Sequence, residues 1–192
     1  QSGLSIGPYL CASYASGEVF KLFRGMKPGK GEFIREFFAS AWTVSNADSW
    51  AELVDGPAAE EFGVLPHFYF AGAGAVGQAA ALCLGSSAFT GSCSAIDKDV
   101  LDLTNDNRYA LSTRDDDGAS KVQMLQAYLQ AHGFECRAVP EWWEDLAASG
   151  GKFALHPETR ALERGFRFPI VLSCVDKNKP RHALQNALPQ LL

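Results

Sequence analysis

No segment constrains this chain as tightly as FYFAGAGAVG, residues 68–77. The apolar run Val64–Phe70 has the length and the bounding residues of a buried strand. Gly72, Gly74 and Gly77 follow in G-x-G-x-x-G spacing, and Ala75–Leu84 continues as an apolar, uncharged helix that needs cover on most sides. Each glycine has its own physical duty. Gly72 makes the tight turn, Gly74 lets a phosphate come up to the backbone, and Gly77 allows the helix to lie against the strand. Free N–H groups at the helix start face the incoming anion. Asp97 ends the next predicted strand, Gly91–Ile96, where a carboxylate accepts hydrogen bonds from two ribose hydroxyls. This combination points to an adenine nucleotide. The glycines alone leave ATP and NAD both open.

The rhythm after this turn stays β-α-β. Ala119–His132 reads as a helix with Val122, Leu125, Tyr128 and Leu129 on one stripe. Phe134–Val139 reads as a strand, Trp142–Ala148 as a short helix, Phe168–Val175 as the strongest strand, and Pro180–Leu188 as the helix after it. Strands separated by helices at this spacing predict a Rossmann-like three-layer α/β/α fold with a mostly parallel sheet. A mainly helical N-terminal segment, residues 1–60, precedes the domain at 61–192. In the first segment, Ile6–Phe23 spaces Tyr9, Leu10, Tyr14, Val19, Leu22 and Phe23 as an amphipathic helix. The basic loop KPGKG at Lys27–Gly31 breaks it. Phe33, Phe37, Phe38 and Trp42 line a second helix or a strand, and the acidic stretch Asn46–Glu61 marks the boundary.

Composition narrows the function classes. With 47% hydrophobic and 20% charged residues, the chain is neither disordered, nor a coiled coil, nor collagen-like. A net charge of −5 argues against non-specific grip on nucleic acid or an anionic membrane. No uninterrupted apolar stretch is long enough for a membrane span, and no signal peptide is evident. The 5 cysteines (Cys11, Cys83, Cys93, Cys136 and Cys174) form no CxxC pair, so buried thiols in a reducing, cytoplasmic setting are expected. The sequence begins with Gln1 and stops at Leu191-Leu192, which suggests a piece of a longer polypeptide whose domain is incomplete at its C terminus.

Three charged residues separate ATP from NAD. Arg108 can fork two donors onto phosphate oxygens, while Lys121, opening the next helix, supplies a point charge for the β- and γ-phosphates. Asp176 closes the strand FRFPIVLSCVD on the carboxyl edge of the sheet, where it can hold Mg²⁺ between phosphates. An NAD-dependent oxidoreductase, the rival enzyme class, has no general need for this set.

Four pieces in order, GAGAVG, DKDVLDLTNDNRYAL, GASK and VLSCVDKNKPRHALQN, resemble the E1/ThiF/MoeB superfamily of ATP-dependent activators of ubiquitin-like and sulfur-carrier proteins. The likeness runs from Val64 to Asn186. It implies that Asp97 holds the ribose, that Asp99 contacts the nucleotide or fixes the loop, and that Asn105 and Arg108 orient the phosphates. Lys121 becomes the phosphate lysine, Asp176 the Mg²⁺ carboxylate, and Arg181 the basic residue beyond it. Arg108, Lys121 and Asp176 then carry the chemistry. The implied reaction is adenylation of the C-terminal carboxylate of a small β-grasp protein by ATP, with release of pyrophosphate. The implied assembly is a dimer or pseudo-dimer with an E1-like partner.

Some features depart from the family pattern. Neither Arg24 nor Arg35 sits in residues matching the segment from which relatives bring an arginine, and zinc-binding CxxC pairs are absent. Cys174 lies inside the predicted strand and is expected to pack in the sheet rather than accept an acyl group. A catalytically inactive scaffold half is the rival within the fold, and a protein-binding module using the first helix and Trp142-Trp143 is the non-enzymatic one. Asp115–Asp117 are expected to cap the helix that follows them.

Overall fold

The computed structural model describes residues 5–25, 33–34, 36–56, 61, 63–148 and 170–186. The chain divides into two units, Gln1–Phe62 and Gly63–Leu192.

In the first unit, helix α1 (Ile6–Arg24) stops at Gly25, whose left-handed backbone (φ 56°) lets its N–H reach back to the Leu22 carbonyl. The expected buried stripe is missing: no residue of α1 is buried, and Phe23 is 84% exposed. No other described residue of this unit is buried either, so no core forms there for the stripe to join. Tyr14 meets the Phe37 ring at 4.3 Å, and Glu18 pairs with Lys21 at 2.6 Å while accepting the Ile34 N–H at 3.1 Å. Strands β1 (Phe38–Ser40) and β2 (Ser45–Ala47) then form an antiparallel hairpin with Phe38 opposite Ala47. Among the aromatic residues from Phe33 to Trp42, Phe38 alone lies in a strand. The KPGKG loop and Arg35 fall outside the described residues.

The second unit is built on β3 (Val64–Ala71), β4 (Thr90–Ile96), β5 (Phe134–Val139) and β6 (Val171–Ser173), all parallel, in the order β5-β4-β3-β6. Crossovers run through α2 (Ala75–Gly85), α3 (Lys121–Ala131) and α4 (Trp143–Ala148), and α5 (Asn178–Asn186) follows β6. Successive β3 side chains point to opposite faces. Tyr69 and Ala71 pack with Ile96, Val139, Val171, Trp143 and Leu146 of α4, and Leu184 of α5. The other face takes Phe68 and Phe70, with Phe68 edge-on to Phe134 at 6.2 Å. Val122, Leu125 and Leu129 of α3 are fully buried in this layer. Each such side chain contributes about 1.5–3 kcal/mol by leaving water. Rossmann-like three-layer packing is therefore the observed architecture.

Three local expectations change. Of α2, the structure buries only Gly77, Gln78 and Ala81, and Val76 is 62% exposed. Its alanines and glycines leave so little apolar area that one covered side suffices. The strand expected at Phe168–Val175 is described as Val171–Ser173, with Phe168 and Pro169 outside the described residues. The Asp115–Asp117 run does not cap α3. Asp116 closes a capping box with Thr113 on its own 3-10 turn, and Asp117 accepts the Leu103 N–H at 3.1 Å. Asp116 follows the local side-chain-to-backbone habit of short acids, whereas Asp117 reaches a donor 14 residues away and ties the crossover to itself.

Candidate functional site

The strand order reverses beside β3: the chain leaves it through β4 and β5 on one side and returns as β6 on the other. In open α/β sheets the crevice at the carboxyl ends of strands forms at such a reversal. Here the Cys174 N–H donates to the Ala71 carbonyl at 2.9 Å, bringing the loop after β6 against the glycine turn. Gly72 has φ +100°, and a Cβ on it would meet the Cys174 carbonyl oxygen at 2.9 Å. Gly77 lies beneath the same turn, where a Cβ would stand only 2.5 Å from the Gly72 carbonyl oxygen. Gly74 differs, since open space surrounds its Cβ position, and it is the N-cap of α2 without a side-chain cap. The backbone there is approachable by a ligand, and the helix start offers N–H donors.

A cleft of about 660 Å³ opens over this turn. Its walls include Gly72, Gly74, Asp97, Asp99, Asn105, Arg108, Lys121 and Asp176, so every site residue named from the sequence lines it except Gly77 and Arg181. Gly77 acts below, in the packing of α2 on the turn. The volume falls within the range of small-molecule and cofactor sites, roughly 300–1,000 Å³.

Asp97 does more than end β4. Its Oδ2 accepts the Ala73 N–H at 2.8 Å and its Oδ1 accepts the Asp99 N–H at 2.9 Å. The carboxylate thus joins the glycine turn to the loop after β4, with lone pairs left on both oxygens. Lys121 has a side chain only 8% exposed, and its Nζ lies 3.2 Å from Asp99 Oδ2. Burial works against the Lys121 charge, but the Tyr109 hydroxyl and the Asp99 and Asp97 carboxylates outweigh it and raise the ammonium above its ordinary value. The 3-10 turn Leu103–Arg108 begins at Asp102, whose side chain accepts the Thr104 N–H at 2.8 Å. That turn carries Asn105 and Arg108 into the cleft, and Arg108 Nη2 donates to Asn105 Oδ1. Gln78 of α2, wholly buried, accepts the Leu111 N–H at 3.0 Å and so fastens the far end of this crossover.

Asp176 enters from the loop after β6, while Arg181 faces back and donates from Nε to the Val175 carbonyl at 3.1 Å. Cys174 lies one residue past β6 and lines the cleft, so it is not inside the strand as expected. Burial pushes its thiol up to about 12, which keeps it protonated at neutral pH. The tryptophan pair divides: Trp143 is core, whereas Trp142 is 37% exposed and borders the cleft. Sequence reasoning assigned no site role to Tyr109, Glu144, Lys177 or Lys179, all of which line the same cleft. Lys179 Nζ reaches Glu144 Oε1 at 3.5 Å at its border. For Lys177 and Lys179, a position shortly after β6 was the available signal.

The donor set suits a triphosphate, with a buried ammonium, a guanidinium and an uncapped helix start around one cleft. No cluster of three or more His, Cys, Asp or Glu side chains able to hold a metal exists among the described residues. Asp176 therefore fits Mg²⁺ only as one carboxylate completing a phosphate-bound ion, the usual manner for this metal. Among the described residues, no helix is long and apolar enough to cross a membrane.

Fold and glycine turn together define a Rossmann-like α/β domain. The model of the ThiF family matches residues 67–190, and the chain belongs to that family. No curated protein matches it in sequence. Among solved structures it is similar to the E. coli tRNA N6-threonylcarbamoyladenosine dehydratase TcdA, at 23% identity and TM-score 0.51, over 66% of this chain and 50% of that one. The ATP complex of TcdA gives 23% identity and TM-score 0.50, over 65% and 49% of the two chains. PaaA is more distant, at 21% identity and TM-score 0.44, over 64% of this chain and 34% of that one. These likenesses concern the fold. The chain spans about half the length of TcdA.

Proposed function

We propose that this chain is an ATP-dependent adenylating domain acting on the C-terminal carboxylate of a ubiquitin-like or sulfur-carrier protein. The observation that carries the reading is the convergence of Asp97, Asn105, Arg108, Lys121 and Asp176 on one cleft over the Gly72–Gly74 turn. ATP lies along the carboxyl edge of the sheet, with ribose at Asp97 and phosphates at Gly74, Arg108 and Lys121. The carrier carboxylate is already ionised at neutral pH, so it attacks the α-phosphorus without a general base. One P–O bond forms, the bond to the bridging α,β-oxygen breaks, and the products are an acyl-adenylate and pyrophosphate. Negative charge grows on the leaving pyrophosphate, where Lys121 and Arg108 oppose it. Mg²⁺, when bound beside Asp176, neutralises phosphate charge and orients the chain. An E1-like partner in a dimer or pseudo-dimer completes the assembly in this reading.

Carrier-dependent ATP–pyrophosphate exchange tests the proposal. Exchange above background is expected with the cognate carrier, and Arg108→Ala or Lys121→Ala should each lower it by about 10²–10³-fold, as for loss of one transition-state donor. ATP binding that survives both substitutions at wild-type strength overturns the assignment of the site. An NADH fluorescence change on mixing, with no exchange, would favour the oxidoreductase instead.

A further inference from the structure

We infer that Gln78 is a positioning residue, the peg that sets the Leu103–Arg108 turn at a fixed place relative to the Gly74 helix start. The use of that placement, steering Arg108 onto phosphate, rests on the adenylating reading, whereas the tether itself does not. Gln78 belongs to α2, directly after Gly77 and one turn below Gly74. Its backbone N–H donates to the Gly74 carbonyl at 2.9 Å, so it closes the first turn that presents Gly74. Its side chain reaches the crossover after β4, where Oε1 accepts the Leu111 N–H at 3.0 Å, 33 residues further on. One residue, with no exposure to solvent, therefore grips both the glycine turn and the crossover.

The crossover needs such a peg. Its start is fixed by the Asp97 carboxylate on the Asp99 N–H, and its end by the bridge between Val100 and Ser120. Between these, the backbone of residues 103–117 makes one hydrogen bond to an element outside the crossover among the described residues, and that bond is Leu111 to Gln78. The other bonds are internal: Asp117 takes the Leu103 N–H, Asp116 takes the Thr113 N–H, and Arg108 donates to Thr104, Asn105 and Asn107 of its own turn. The Tyr109 ring, 5.7 Å from the Lys121 Nζ, is a contact of a rotatable side chain and does not fix the main chain. Without the Leu111 anchor the turn can swing as a body, carrying Arg108 with it. Misplacement by about 1 Å can cost about 10²-fold in rate. The amide shows which of its ends matters. Leu111 offers a donor, so the oxygen faces it, and the buried Nε2 has no hydrogen-bond partner among the described residues. A methionine fills similar space without burying that amide nitrogen, but it lacks an acceptor for Leu111.

Gln78→Met keeps the length of the side chain and deletes the acceptor. Two measurements on the full chain are needed. The first uses no nucleotide: hydrogen exchange should find the Leu111 N–H protected in wild type and exchanging about 3–10-fold faster in Gln78→Met, as one lost hydrogen bond implies. A Leu111 N–H that exchanges at the unfolded rate in wild type, or equally in both proteins, overturns the inference whether or not the chain binds ATP. The second is calorimetry with ATP and with AMP. Gln78→Met should weaken ATP about 3–10-fold, leave AMP within about 2-fold, and have no further effect in an Arg108→Ala background. A merely structural loss would weaken both nucleotides alike or persist without Arg108, and either result overturns the inference. Should Gln78→Met not fold, wild type decides: Leu111 exchange that ATP slows more than AMP supports the tether, and any other pattern overturns it. If wild type binds no ATP, the adenylating reading falls, and the nucleotide-free exchange result decides the tether alone.

Discussion

Replacing Asp97 by Asn tests whether this carboxylate builds the site before any ligand arrives. Its two oxygens accept backbone N–H groups from Ala73 at 2.8 Å and Asp99 at 2.9 Å. An asparagine offers one acceptor oxygen and one donor amide, so only one of these N–H groups keeps a partner. If the oxygen stays with Asp99, the NH₂ group confronts the N–H of Ala73, a residue with no exposure to solvent. Leaving such a donor unpaired costs about 1–3 kcal/mol. For a chain of this size that amounts to a fall of about 2–12 °C in melting temperature, at roughly 2–4 °C per kcal/mol. The assay is calorimetric unfolding of wild type, Asp97→Asn and Asp97→Ala without nucleotide. A D97N protein that melts with wild type yet fails to bind ATP refutes the structural role and leaves Asp97 as a ligand contact only.

Gly77→Ala and Gly74→Ala should diverge. The first places a Cβ 2.5 Å from the Gly72 carbonyl oxygen and should destabilise by about 1–3 kcal/mol, read as an earlier urea midpoint. The second meets open space and should leave stability within about 0.5 kcal/mol of wild type while weakening nucleotide binding. Brief iodoacetamide treatment at pH 8 should alkylate exposed Cys11 and spare Cys174 and Cys93, by mass spectrometry. Burial pushes Cys174 up to about 12, and the hydrogen bond to Cys136, with burial, raises Cys93. Lys121, facing Asp97, Asp99 and Tyr109, is raised above the ordinary 10.5, so its contribution to stability is complete below 10.5 and is lost as pH climbs through the raised value. Urea midpoints taken from pH 9 to 11.5 should therefore fall more steeply for wild type than for Lys121→Met.

Much of the second unit was readable because its signals are local. An apolar run, three glycines and an uncharged helix specify a strand-turn-helix by themselves, and Phe134–Val139 appears with the predicted bounds. Asp97, Lys121 and Asp176 were legible because each sits at the end or start of an element, and parallel strands bring those ends together. Long-range partnerships were not legible. Nothing near Gln78 in sequence announces the Leu111 N–H, and nothing near Tyr109 announces Lys121. The acidic run at Asp115–Asp117 misled because the nearest helix looked like its client, whereas donors at Thr113 and Leu103, within the crossover, claimed Asp116 and Asp117. In α1, spacing suggested a stripe, but spacing cannot supply a surface for that stripe to cover.

Two glutamines on α3 guard one border of the sheet. Gln126 and Gln130 both donate from Nε2 to the Cys136 carbonyl, at 2.8 and 3.1 Å, on the outermost described strand of that side. A backbone acceptor taken up in this way is closed to a foreign strand at that position. Among the described strands, the opposite border of the sheet is β6. Any segment joining it there would add its own strand tip beside Asp176, and so would reshape the cleft mouth rather than the distant flank.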